Sequence, residues 1–195
     1  MFKKFLVIAW EGIKVVAISL AIIIPVRYFL IQPFYVKGAS MEPSFYDHEY
    51  LIIDEISYRF RPITRGEVVV FRYPLNPQEY FIKRVIGLPG ETVQIKDAKV
   101  IVYNDQYPGG LVLDEPYLSE GTPTYANDES KITLEPDEYF VLGDNRTASK
   151  DSRTFGPINK SFITGHVFLR GWPFSRADIF NDKLDYSPTG DGNLN

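Results

Sequence analysis

The sequence predicts a mainly β protein carried behind a single N-terminal membrane-spanning helix. Two observations lead there. From Phe5 to about Val26 the chain is an apolar run carrying only Glu11 and Lys14 as charges, and about 20 helical residues cross a bilayer core about 30 Å thick. Beyond residue 31 the apolar residues fall into short segments dense in β-branched and aromatic side chains, punctuated by Pro, Gly and Asn. With 45% apolar and 15% aromatic residues in 195, the chain can pack a core, which excludes disorder for most of it.

Taken in order, Lys3 and Lys4 precede the apolar run and favour a cytoplasmic N-terminus. Glu11 and Lys14 lie three apart, so on a helix they share a face and partly neutralise one another. A cleaved signal peptide is disfavoured, because its apolar region runs to about 15 residues and ends at a small-residue site, whereas Pro25 and Arg27 to Pro33 come next here. A helix buried in a soluble core is the other alternative. A retained anchor over residues 1–31 sends the remainder of the chain across the membrane. There Tyr50 to Ile56, Val68 to Tyr73 and Tyr80 to Ile86 read as strands. Leu88-Pro89-Gly90-Glu91 is a turn, and Thr92 to Ile95 with Val100 to Tyr103 read as a hairpin closed at Lys96-Asp97-Ala98-Lys99. From Gln106 to Ser130, Pro, Gly and acidic residues replace periodicity, which predicts a long surface excursion. Ile132 to Leu134 and Tyr139 to Leu142 read as short strands about a turn at Glu135 to Glu138, and His166 to Arg170 as a last strand. The polar, Gly-rich chain from Arg176 onward reads as a mobile tail.

Composition removes several function classes. Net charge is -4 and basic residues cluster on no segment, so no nucleic-acid partner is expected. The absence of cysteine rules out thiol catalysis, Cys-ligated zinc and disulfides, and it suits an oxidising compartment. The two histidines, His48 and His166, lack the short helical spacing of zinc motifs, and neither a metal nor a cofactor is expected.

Three stretches are placed to carry chemistry. Val36 to Ser44 reads as a strand broken at a small-residue bend, where Gly38 and Ala39 admit another backbone and Ser40 presents a hydroxyl. Such a turn is often no more than a turn. A serine nucleophile needs a base, and both histidines read better as a solvated loop residue and a satisfied strand residue. In Tyr80 to Ile86, alternation sets Lys83 beside Phe81 and Val85, and Arg84 beside Ile82 and Ile86, so one of the two cations must point inward or be shielded. Lysine gives up its proton more readily than arginine when buried, which makes Lys83 the candidate base; a water-exposed strand lysine is the alternative. The third stretch, Gly143 to Arg153, is either a solvated loop or a hydrogen-bond network in which Asp144, Asp151 and Arg153 supply ion pairs.

Together these stretches closely resemble the type I signal peptidases. The resemblance covers the anchor, Ser-Met-x-Pro at Ser40 to Pro43, Lys-Arg-Val at Lys83 to Val85, and Gly-Asp-Asn-Arg-x-x-Ser-x-Asp-Ser-Arg from Gly143 to Arg153, in family order. It implies a membrane-bound serine endopeptidase of mainly β fold, with a β-sheet catalytic core over residues 32–176, a smaller inserted β lobe at about 88–134, and a polar tail over 177–195. It implies that Ser40 is the nucleophile and Lys83 the general base, that Ser149 hydrogen-bonds and orients the lysine, and that Asp144 pairs with Arg84 and Asp151 with Arg153. Phe34, Val36, Phe45 and Ile82 match positions lining the family's shallow pockets for small residues, which fits cleavage after Ala-x-Ala. The implied partners are signal peptides of exported preproteins and the lipid bilayer, with the catalytic domain on the extracytoplasmic side. Two positions depart from the best-known pattern: Gly38 stands where some members carry a serine whose hydroxyl joins the oxyanion hole, and Ser44 stands where threonine is usual. From Ile31 to Ser40 the chain extends at most about 30 Å, which keeps the serine near the bilayer. The rival readings are a noncatalytic anchored β domain that binds exported peptides, and a self-cleaving Ser/Lys protease of the repressor type, which the anchor and the missing DNA-binding region disfavour.

Overall fold

The computed structural model describes residues 2–29, 31–126 and 128–180. Helix α1 runs from Phe2 to Phe29, 28 residues. Its described side chains, residues 9–23, are all exposed, including Trp10, Ile13, Val16, Leu20 and Ile23. Lys14 Nζ pairs with Glu11 Oε1 at 2.6 Å, as their spacing predicts. Among the described residues no helix is long and apolar enough to cross a membrane; the described side chains of α1 are the 15 from 9 to 23, fewer than the about 20 that a crossing needs.

Beyond α1 the chain is mainly β, as the sequence predicts. It lays down β1 (Ile31–Tyr35), β2 (Tyr50–Asp54), β3 (Val68–Tyr73) and β4 (Asn76–Gly87). Then come β5 (Thr92–Lys96), β6 (Lys99–Tyr103), β7 (Leu111–Val112), β8 (Ile132–Thr133) and β9 (Glu138–Leu142). A one-turn helix α2 (Ser152–Phe155) precedes β10 (Ile158–Asn159), β11 (Ile163–Trp172) and β12 (Asp178–Ile179). The larger sheet has the order β1-β2-β11-β3-β4-β9-β10 with β12 on β11, and the smaller has the order β7-β6-β5-β8. β4 and β9 are antiparallel neighbours, and all strands of the smaller sheet lie in the chain between them.

The core explains the order. β3 is buried on both faces, which its unbroken Val-Val-Val-Phe run requires. Val68 and Val70 pack with Met41, Phe45, Leu51 and Val167, while Val69 and Phe71 pack with Val85, Val141 and Ile158. A third cluster joins Val93, Val100, Val102 and Leu134 to Ile86, Phe140 and Leu142, and so fastens the smaller sheet to the ends of β4 and β9.

Several boundaries differ from the sequence reading. β4 begins at Asn76 rather than Tyr80, because Tyr73 pairs with Asn76 around a tight turn at Pro74 and Leu75. β11 is longer than His166 to Arg170, and its bulges against β2 and β3 break the alternation that would have revealed its length. The β5–β6 hairpin, by contrast, closes where it was expected, with Lys96 paired to Lys99 and Asp97 and Ala98 at φ of 50° and 60°. Part of the expected tail is packed rather than mobile: β12 pairs with β11, and Phe180 lies 4.8 Å from Phe45, ring to ring. The tail from 181 lies outside the described residues.

Candidate active site

Beyond β1 the chain stays extended for one more residue, with Val36 N–H donating to Glu49 O at 2.8 Å and Val36 O accepting from His48 N–H at 3.0 Å. Gly38 has φ of +92°, a conformation that side chains rarely adopt, and it turns the chain there while its N–H donates to Asp47 Oδ1 at 2.8 Å. The next turn is closed by Phe45 N–H donating to Met41 O at 2.9 Å, with the Met41 and Phe45 side chains buried beneath it. Asn145 holds the turn from the other side: its N–H donates to Ser40 O and its Nδ2 to Ala39 O, each at 3.1 Å. Among the described residues Ser40 N–H has no acceptor, so it is available to an outside oxygen.

Lys83 lies on β4 opposite Val69, and both it and Arg84 are buried, at 3% and 4% exposure. The sequence reading required only one of these cations to be shielded. Both are, because they leave β4 toward different partners. Pairing of β4 with β9 begins at Arg84, so the strand edge at Lys83 is open on that side. Lys83 Nζ sits at that edge, 2.7 Å from its neighbour's carbonyl, Ile82 O, and 2.7 Å from Ser40 Oγ. Burial pushes the lysine pKa down to about 8, against the charges of Asp151 and Asp144, which pull it up. Arg84 turns to the other face, where Nε and Nη2 hold the Asp144 carboxylate at 2.9 and 2.7 Å and Nη1 donates to Gly66 O. The Tyr117 ring covers its guanidinium at 3.9 Å.

The loop from Gly143 to Arg153 is a network, not a solvated loop. Asp151, fully buried, accepts from Gly143 N–H at 3.0 Å and from Arg153 Nε and Nη2 at 2.8 and 2.7 Å. It also caps α2 through Arg153 N–H. Burial pushes its carboxyl pKa up, but the hydrogen bond and charge of Arg153 and the Gly143 N–H outweigh that and hold it below the usual range. Ser149 does not hydrogen-bond to Lys83 in this arrangement: its buried Oγ lies by Asp151, whose carboxyl pKa it helps hold down, and the lysine donates to Ile82 O instead. Gly143 is needed at its position, because a Cβ there would stand 2.1 Å from Ser149 Oγ and 2.5 Å from Ser40 O.

Ser40 and Lys83 lie in an open cleft of about 750 Å³ between residues 34–40 and 79–83. Phe34, Val36 and Ile82 line it, together with Leu51 and Val70. Phe45 does not. It is buried under the Ser40 turn against Phe180 and Arg170, where the turn's backbone hides it from the cleft. Neither histidine lines the cleft: His48 is exposed beside Asp47, and His166 packs on Tyr58. The sequence reading missed Arg146, which is buried and bonded to Glu115 at 2.5 and 2.9 Å, to Tyr117 and to Thr124. Its partners come from the aperiodic excursion, where a single acidic residue gives no signal.

A hydroxyl in contact with a buried amine of lowered pKa, at the floor of a cleft wide enough for an extended peptide, is a site for acyl transfer. The comparisons agree with that class. Residues 9–172 match the family described as Signal peptidase, peptidase S26, and the chain belongs to that family. It is 37% identical over 184 residues to the signal peptidase I of Leptolyngbya laminosa, covering 90% of this chain and 86% of that one. It is 36% identical over 194 residues to the signal peptidase IB of Staphylococcus aureus strain MRSA252, covering 91% and 94%. A crystal structure of a signal peptidase I from Enterococcus faecalis aligns with 30% identity, over 55% of this chain and 97% of that one, at a TM-score of 0.45.

Proposed function

We propose that the protein is a membrane-anchored serine endopeptidase that removes N-terminal signal peptides from exported preproteins, with Ser40 as nucleophile and Lys83 as general base. The observation that supports it most is the 2.7 Å contact between Ser40 Oγ and Lys83 Nζ at the end of an apolar cleft. The neutral amine takes the Ser40 proton as Oγ attacks the scissile carbonyl carbon, and Ser40 N–H donates to the oxyanion. The ammonium then returns the proton to the departing amine. Water attacks the acyl-serine in turn, Lys83 taking its proton and giving it to Ser40 Oγ as the peptide acid leaves, which restores the free serine and the neutral amine. The substrate lies extended between residues 36–40 and the open edge of β4, adding a strand. The apolar walls at Phe34, Val36 and Ile82 suit small side chains on alternate residues, hence cleavage after Ala-x-Ala.

Asp144 with Arg84, and Asp151 with Arg153, serve as the frame of the site. Ser149, with its buried hydroxyl, is read as orienting the Lys83 amine once substrate fills the cleft. The four-stranded sheet over residues 92–133 is read as the inserted lobe expected at about 88–134. α1 is read as the anchor: 28 residues at about 1.5 Å each reach about 42 Å, and the apolar side chains described on it, within residues 9–23, are exposed. The catalytic domain then lies on the extracytoplasmic face.

The test is cleavage of a peptide carrying Ala-x-Ala by the purified protein in detergent. Wild type should cut after the second alanine, and Ser40→Ala should lose at least about 1,000-fold in kcat. Wild-type binding without cleavage supports the rival noncatalytic domain.

A further inference from the structure

A second concavity, of about 530 Å³, lies beside the Ser40 turn, where Asn145, one of its lining residues, donates its N–H to Ser40 O at 3.1 Å. It is lined by Glu42, Pro43 and Tyr46, by the turn from Ser119 to Pro123, and by residues 144–147. The two concavities are built from the same two segments. The chain passes between the two linings twice, with Ser40 on the first and Glu42 and Pro43 on the second, and Ala148 on the first and Thr147 on the second. An extended peptide advances about 3.3 Å per residue, and one lying in the first with its scissile carbonyl at Ser40 must pass its following residues into the second.

We propose that this groove binds the residues immediately after the scissile bond, the first residues of the mature protein, and favours basic side chains there over acidic ones. The proposal rests on the peptidase reading above. The turn from Ser119 to Pro123 is held in place at both flanks by the loop that holds Ser40. Arg146 grips Glu115 before the turn and Thr124 after it, and Arg153 Nη1 donates to Tyr125 O at 3.1 Å. Thr122 N–H donates to Ser119 O at 3.0 Å and closes the turn itself. A groove so fixed loses little conformational freedom when a chain enters it. Its charge is equally defined. Asp144 and Arg146, which also face it, are neutralised by Arg84 and Glu115. Glu42 and Glu120 form no ion pair among the described residues, and they leave the groove negative. The first cleft is rimmed instead by Lys37, Lys150 and Glu79.

The test uses the full chain in detergent and three peptides that share Ala-x-Ala but carry Lys, Gln or Glu at the second and third positions after the scissile bond. At low salt kcat/KM should fall in the order Lys, Gln, Glu, with roughly five-fold between the ends, and the spread should shrink at high salt. Glu120→Lys should abolish or reverse the order. The ratio among peptides within one variant does not depend on any general loss of activity. Equal rates for all three peptides in wild type, or an unchanged order in both Glu120→Lys and Glu42→Gln, overturn the groove proposal and leave the peptidase reading intact. A wild type that cuts none of them overturns both.

Discussion

Lys83 is costly to the fold in the state that water would prefer. With its pKa near 8, roughly a tenth of the chains carry a neutral amine at pH 7, against well under a thousandth for a free lysine. Activity in detergent should therefore fall as pH drops below about 8. The stability effect has the opposite beneficiary. Below pH 8 the buried ammonium is charged in both folded and unfolded chains and its full cost is present; between about 8 and 10.5 the folded chain holds fewer protons, so stability rises with pH until that cost is gone. A depression from 10.5 to about 8 corresponds to about 3 kcal/mol. Lys83→Met should thus abolish cleavage and raise unfolding free energy at pH 7 by about 1 to 3 kcal/mol, a gain that shrinks above pH 8. A destabilised Lys83→Met, or an activity flat from pH 6 to 9, removes the lysine as base. Gly143 makes the second case at this scale. An added methyl collides with Ser149 and with the Ser40 carbonyl, so Gly143→Ala must displace Ser149 and the Ser40 backbone, the proposed nucleophile's support. A displacement near 1 Å costs about 100-fold in rate. kcat should fall by that much with KM little changed, and an unaffected kcat would show that Ser40 tolerates the shift.

At the scale of elements, the strands rich in Val, Ile and Phe were legible because burial and β-branching coincide in them, as in β3. β1 was not legible: Pro33 argues against a strand, and only its place at the sheet edge, where a missing N–H costs nothing, permits it. The two-residue strands β7, β8, β10 and β12 carry too few residues to show any period, although Ile132 and Thr133 of β8 were read from their β-branching. Nor could the clamp behind the Ser40 turn be read, since its parts lie 126 residues apart, where Arg170 Nη1 donates to Ser44 O at 2.8 Å. Arg176 pairs with the buried Glu49 at 3.0 Å beside it. Arg176→Ala should cost about 1 to 2 kcal/mol by leaving Glu49 to the more distant Arg170 alone, and should lower kcat more than KM because the turn that carries Ser40 loosens. A change in melting without change in kcat would make the clamp structural only. The hairpin offers an opposite sign. Ala98 holds a φ of 60°, which costs a residue with a Cβ about 1 kcal/mol, so Ala98→Gly should raise stability by about that amount in urea titration. A loss on Ala98→Gly would mean that the turn is not strained there.

For the whole molecule, the question is where the bilayer lies. α1 ends at Phe29 and β1 begins at Ile31, so the sheet starts within one residue of the helix. Ser40 is at most about 30 Å of extended chain beyond it, and the Gly38 bend shortens that reach. A substrate whose own apolar helix is embedded in the same bilayer presents its cleavage site at a comparable depth, so a helix that holds the cleft near the surface concentrates enzyme and substrate in two dimensions. This account requires Lys3 and Lys4 on one side and the sheets on the other. The chain contains no cysteine, so single cysteines report topology without background. Lys4→Cys and Lys99→Cys place one thiol before the helix and one on an exposed position of β6. In intact spheroplasts a membrane-impermeant maleimide should label Lys99→Cys at once and Lys4→Cys only after lysis. Labelling of both before lysis, or of Lys4→Cys alone, would mean that α1 does not cross with this orientation, and the proposed extracytoplasmic site would have to be abandoned even if the purified enzyme cleaves peptides.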